Sequence, residues 1–93
     1  MDKHELRREF KDKIDDAFHN IQKLENKSEE LSGRKKEELD ERISELQRKK
    51  DQMDSFYEEL LNSSEEKANE IGTQFEKSKE DFKAGFNKIA QAF

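Results

Sequence analysis

The 93-residue chain contains no cysteine, proline, tryptophan or valine, and it has only three glycines. Without cysteine it has no disulfide, thiolate zinc site, iron–sulfur cluster or cysteine nucleophile. Isolated glycines exclude a glycine-rich loop that cradles phosphate. Hydrophobic residues make up 29% of the chain, against about 45–50% in typical globular domains. We therefore expect a single domain with a small core and either marginal stability or self-association.

Long hydrophobic runs and an excess of basic charge are also missing. No stretch approaches the roughly 18 apolar residues of a membrane span, and residues 1–5 are mostly charged or polar, unlike the apolar core of a signal peptide. We therefore expect a soluble, cytoplasmic protein. The 19 basic residues are outnumbered by 24 acidic ones and are interleaved with them. Binding to nucleic acid is not expected, since it requires a basic face.

The residues that are abundant favour helix. Charged residues make up 46% of the chain, and Glu, Lys and Leu have high helix propensity. Apolar residues recur at three- and four-residue steps in three stripes, which predicts helices at about 3–31, 35–61 and 64–92. The stripes are Leu6, Phe10, Ile14, Ala17, Phe18, Ile21, Leu24 and Leu31; Leu39, Ile43, Leu46, Met53, Phe56, Tyr57, Leu60 and Leu61; and Ala68, Ile71, Phe75, Phe82, Phe86, Ile89, Ala90 and Phe93.

Two turns separate these stripes. Ser32-Gly33 follows the first, and glycine after the last periodic residue predicts a left-handed helix stop with a turn at 32–34. The second break is Asn62-Ser63-Ser64. Ser63, followed three residues later by Glu66, predicts a capping box at the start of the third helix.

Three helices of nearly equal length predict an all-α fold, an antiparallel three-helix bundle. The alternative is a helical hairpin, dimeric in one version, with one long helix from about 35 to 92. It is favoured by the steps Leu60, Ser64, Ala68 and Ile71, which continue in phase through the second break as an eleven-residue repeat. Basic residues at 34–36 also oppose the macrodipole of a separate second helix.

Candidate catalytic and metal-binding residues are few. His4 and His19 are fifteen residues apart, more than about 20 Å along a helix, so they cannot share a metal. The clustered carboxylates lie off the apolar stripes, where their side chains are solvated and lack the enclosure that acid–base catalysis needs. We predict no enzyme activity, catalytic residue, metal, cofactor or small-molecule substrate.

The candidate interaction face is aromatic and lies on the last predicted helix. Its residues share one helical stripe and have lysines nearby: Phe75, Phe82, Phe86, Ile89 and Phe93. In one interpretation these side chains fill the core of a bundle with few apolar residues. In the other they form an amphipathic helix for a lipid surface or a partner's groove.

Three segments carry a resemblance to a known group: Leu60–Glu66 (LLNSSEE), Glu80–Phe86 and Ile89–Phe93. In this order they resemble small bacterial coiled-coil proteins of unknown biochemical function, often described as stress-associated. The resemblance implies helical structure and a stress-related role, and it carries no catalytic residues. The chain is also expected to bind a protein partner or itself, because polar residues such as Lys50 and Ser78 interrupt its apolar stripes. In coiled coils, polar residues at such positions fix the register between the helices. Binding to a membrane surface is the second hypothesis.

Overall fold

The computed structural model describes residues 2–93 and folds into three α-helices. They are α1 (Lys3–Glu29), α2 (Gly33–Leu61) and α3 (Glu65–Ala92). Successive helices run antiparallel and form an elongated bundle of 50 × 19 × 16 Å. The predicted three-helix bundle is confirmed, with helix ends that differ from the expected ones by at most two residues. The alternative helix from 35 to 92 is not formed in this single chain, because α2 ends at Leu61.

The core follows a seven-residue repeat on each helix. On α2 and α3 the repeat comprises Leu39, Leu46, Met53 and Leu60, and Ala68, Phe75, Phe82 and Ile89, all of which are buried. On α1 the buried apolar residues are Leu6, Phe10, Ala17, Ile21 and Leu24. A sustained seven-residue repeat keeps one stripe of each helix facing the others.

Three residues of the predicted stripes are instead exposed: Phe18, Leu61 and Ala90. Phe18 is 48% exposed and Leu61 is 41% exposed. Each of the three directly follows a residue that takes the inward position, Ala17 in α1, Leu60 in α2 and Ile89 in α3. Adjacent helical residues are about 100° apart around the axis, so only one of each pair faces the core.

The first turn differs in one detail from the expected helix stop. α1 already ends at Glu29, and the amide of Leu31 donates to the carbonyl of Ser28 over 3.0 Å. Gly33 has φ +63°, the left-handed conformation predicted for it, but it is the first residue of α2 and does not cap α1. A positive φ is strained for any residue with a Cβ, so the bend of the chain depends on this glycine.

At the second turn the predicted capping box is wrong. Ser64, not Ser63, occupies the position before α3, with φ −76° and ψ 164°, and its side chain makes no cap hydrogen bond. The Ser63 hydroxyl turns back and donates to the carbonyl of Leu60 over 2.9 Å. This turn is therefore formed without a side-chain cap on α3.

Candidate functional site

The predicted interaction face lies mostly inside the bundle. Phe75, Phe82 and Ile89 are only 2%, 3% and 7% exposed. Phe86 and Phe93 are half-buried and pack against the same core. This placement is the one the core interpretation predicts, and only the C-terminal end of the face approaches the surface.

Aromatic rings join the three helices near the second turn. The rings of Phe10 and Phe75 are stacked, with centroids 3.7 Å apart and planes 11° apart. Tyr57 of α2 lies at 6.5 Å from Phe10 in a tilted arrangement. Such pairs contribute about 0.5–1.5 kcal/mol beyond their buried area, so these rings hold helices together and are not free to bind a ligand.

A groove of about 810 Å³ lies between the first half of α2 and the last part of α3. Leu46, Ile89 and Phe93 line it with apolar atoms, and Gly85 also lines it. A Cβ on Gly85 would lie 3.3 Å from both Leu46 Cδ2 and Lys49 Nζ. The glycine therefore allows these side chains to lie close against α3.

Charged residues border this groove along α2. Both signs are represented among them, and we call them the charged rim: Lys35, Glu38, Glu41, Arg42, Glu45 and Lys49. Arg42 Nη1 lies 3.9 Å from Glu45 Oε2, and both side chains are 61% exposed. Exposed pairs of this kind contribute at most about 1 kcal/mol. The rim can therefore exchange its internal pairs for charges on a partner at little cost.

A second charged cluster surrounds Lys79 on α3. Its ammonium group donates to Glu76 Oε1 over 2.6 Å and lies 3.8 Å from Glu80 Oε1. The hydrogen bond to Glu76 raises the pKa of Lys79, and the nearby charges of Glu76, Glu80 and Glu9 raise it further, although burial opposes them. A catalytic lysine needs a lowered pKa. Lys79 is held in its charged form, which suits an ion-pairing role.

A polar cluster near the first turn was not anticipated from the sequence. Ser28 is buried and its hydroxyl donates to Asp40 Oδ1 of α2. Lys36 Nζ lies 3.0 Å from the Ser28 hydroxyl oxygen and 3.7 Å from Asp40 Oδ2. The cluster ties the end of α1 to the start of α2, where Lys36 would otherwise be disfavoured by the helix macrodipole.

Polar insertions also interrupt the middle of the bundle. The Ser78 hydroxyl is buried and makes no hydrogen bond within residues 2–93. Lys50, the predicted interruption of the second stripe, pairs with Asp54 over 3.0 Å and lies 5.9 Å from the centre of the Phe18 ring. A lone buried hydroxyl costs about 1–3 kcal/mol, so Ser78 is a weak point in the packing of α3.

A metal-binding cluster is not found in the part of the chain that the structure describes. Within residues 2–93 no group of three or more His, Asp or Glu side chains converges on one point. His4 and His19 are exposed. The carboxylate clusters at residues 12–16, 37–41 and 58–59 are exposed as well. Across the same residues, none of the helices combines the length and the apolarity required to cross a bilayer.

Comparisons with known proteins give no relative for this chain. No protein-family model, curated protein or solved structure matches it.

Proposed function

We propose that this protein is a non-enzymatic helical interaction module, and that it binds a helix of a protein partner in the groove between α2 and α3. The observation that carries the proposal is a groove that the exposed Ala92 and the half-buried Phe93 line with accessible apolar atoms and that the charged rim borders. A partner helix can bury apolar side chains on Ala92 and Phe93 while its charges pair with the rim. In coiled coils, likewise, apolar residues form the buried contact and flanking charged residues select the partner.

The mixed signs along the rim define the partner's chemistry. A helix that places a basic residue opposite each rim glutamate and an acidic residue opposite each rim lysine or arginine meets every rim residue with an opposite charge. A uniformly charged partner meets like charges at half of the rim positions, which disfavours binding. We therefore infer a partner with a mixed-charge amphipathic helix.

The lipid-surface alternative has less support. It requires the phenylalanine face of α3, and Phe75 and Phe82 are packed in the core. Vesicle binding would therefore require α3 to leave the bundle. A stress-related role and a cytoplasmic location belong to the proposal as predictions, the first from the resemblance and the second from composition.

Affinity capture with matched charge reversals tests the proposed site. The groove variant is Lys49→Glu/Lys88→Glu, because both lysines line the groove from opposite helices. The control variant is Lys11→Glu/Lys23→Glu, which makes the same charge change on exposed positions of α1. We expect the wild type and the control to retain the same partner from cells that make this protein, and the groove variant to bind it at least about tenfold more weakly.

Two outcomes would contradict this proposal. One is equal retention of the partner by the groove and control variants, which would place the binding site elsewhere. The other is co-sedimentation of the wild type with phosphatidylcholine–phosphatidylglycerol vesicles, with loss of binding in Phe82→Ala. That result would favour the lipid-surface alternative.

A further inference from the structure

The second turn lacks the features that fix a helix reversal. Asn62 has φ −97° and ψ 1°, in the bridge region next to the right-handed helical one, and Ser64 departs from helix mainly in ψ, at 164°. Gly33, at the first turn, is the one residue in the described range with a positive φ. Rotation at one or two serines therefore suffices to join α2 and α3 into one helix, without strain from left-handed residues.

The sequence remains amphipathic if the turn straightens. Leu60, Ser64, Ala68 and Ile71 are spaced by four, four and three residues, so a continuous helix keeps them on one stripe. Straightening also gives the amides at the start of α3 helical partners on α2, in exchange for the hydrogen bonds that the carbonyls of Leu60 and Leu61 accept in the turn. The segment at 60–71 is thus compatible with both a turn and a helix.

An exposed apolar residue lies at this turn. Leu61 is 41% exposed and is one of two large hydrophobic side chains exposed to this degree in residues 2–93. If two straightened chains pair antiparallel and exchange α3, their hinge segments meet at the two-fold axis. Leu61 then packs against the second copy instead of facing water.

Little holds the second turn closed. Lys3 Nζ donates to the carbonyl of Ser63 over 2.6 Å and to that of Leu61 over 3.3 Å. Charges near the turn have opposite effects on helix stability. Glu65 is the first residue of α3, where a carboxylate stabilises the helix, and Glu59 lies in the last turn of α2, where a carboxylate destabilises it. Exchange of α3 between two copies rebuilds every core contact. The closed monomer is therefore favoured over the exchanged dimer only by these local hydrogen bonds and by the entropy that two chains lose when they associate.

From these observations we propose that the chain binds a second copy of itself by exchanging α3, with residues 62–64 straightened into a continuous α2–α3 helix. This inference is independent of the proposed function, since it requires no partner in the groove. It predicts a dimer whose population rises with protein concentration.

Spin-label distances distinguish exchange from side-by-side association. Gln47 and Ala84 are exposed and flank the contact between Leu46 and Gly85, so labels at Gln47→Cys and Ala84→Cys report on α2–α3 docking. The chain has no native cysteine to interfere. In the closed bundle the two backbones are about 10 Å apart, whereas along one continuous helix they are roughly 55 Å apart.

The measurement uses doubly labelled chains diluted into unlabelled protein, from about 10 μM to about 1 mM, so that only distances within one chain are read. We expect a distance of roughly 55 Å to appear in step with the dimer seen by analytical ultracentrifugation. A dimer that keeps only the short distance would overturn the proposal. So would a wild type that stays monomeric over the whole range.

Two hinge variants shift the equilibrium in opposite directions. Glu65→Pro is tolerated at the first position of α3 but blocks a continuous helix, and we expect it to weaken dimerisation at least about tenfold. Glu65→Ala is its control, because it removes the same charge without restricting the backbone. Replacing Asn62, Ser63 and Ser64 with alanine favours helix and should strengthen the dimer by a similar factor. If Glu65→Pro and Glu65→Ala dimerise equally at equal helical content, the hinge is not at this turn.

Discussion

The two turns of this bundle reverse the chain by different physical means. The first contains Gly33 at φ +63° and is tied by the buried Ser28 hydroxyl, which donates to Asp40 across the turn. The second has no left-handed residue and no side-chain cap on α3. Its only contact from outside the turn among the described hydrogen bonds comes from Lys3 of α1.

The difference shows that local contacts control the reversal of the chain at the first turn and tertiary contacts control it at the second. A glycine in the left-handed region and a buried polar cluster stabilise the first turn whether or not α3 is docked. At the second turn none of Asn62, Ser63 and Ser64 has a positive φ, so no left-handed residue fixes the reversal there. Packing of the core residues of α3 against α1 and α2 therefore determines the direction of the chain there.

The largest expected effect comes from removing a core residue of α3. Phe82→Ala should lower the free energy of unfolding by about 3–5 kcal/mol, because the ring is almost completely buried. Phe86→Ala should cost less, since Phe86 is only half-buried. Urea denaturation followed by circular dichroism measures both. If the Phe82 variant kept wild-type stability, packing of α3 could not be what holds the second turn.

Gly33→Ala should have the next largest effect, about 1–2 kcal/mol of destabilisation. No atom lies within 4 Å of the added methyl group, so the cost is the left-handed backbone alone. The same denaturation experiment measures it, and Gly33→Asn is a useful companion because asparagine tolerates this conformation better. Equal losses for the two variants would argue against a conformational cause.

Ser28→Ala should cost about 1–2 kcal/mol, because it removes a buried hydroxyl that bonds Asp40 and Lys36. The matched control is Ser44→Ala, where the hydroxyl is exposed and bonds only a carbonyl of its own helix. A comparable loss in the two variants would show that the polar cluster does not strengthen the first turn.

Lys3→Met should have the smallest effect, about 0.5 kcal/mol in the monomer, because one of the two hydrogen bonds it removes is exposed and the other is only part-buried. Methionine retains the apolar stem, and Lys11→Met controls for the lost charge at an exposed position of α1. We also expect Lys3→Met, and not the control, to increase the exchanged dimer in analytical ultracentrifugation. No increase would mean that Lys3 does not help to keep the second turn closed.

Sequence periodicity was sufficient to predict the three helices, because core positions recur every seven residues on each of them. It placed Ser63 incorrectly as a cap, because Ser63 has a glutamate three residues later, whereas the packing of α3 selects Ser64, which has Lys67 at that spacing. The cluster of Ser28 and Asp40 could not be predicted. Its residues are twelve apart on different helices, and a periodic pattern does not specify the register between helices.

The same limit applies to the candidate site. The aromatic stripe of α3 was evident in the sequence, but the choice between core and surface required the positions of α1 and α2. The groove with its charged rim arises between two helices, so its lining was not visible on either helix alone. Charges of both signs at three- and four-residue steps on α2 were the one available signal.

The contrast between the turns is tested most directly by matched double substitutions, Ser32→Ala/Gly33→Ala and Ser63→Ala/Ser64→Ala. Each removes the serine that precedes a helix, and in both cases that serine makes no side-chain cap hydrogen bond. Urea denaturation at a few micromolar protein keeps the chain monomeric. We predict that the first pair lowers the free energy of unfolding by at least about 1 kcal/mol and the second by less than about 0.5 kcal/mol. Equal losses, or a larger loss at the second turn, would contradict the account.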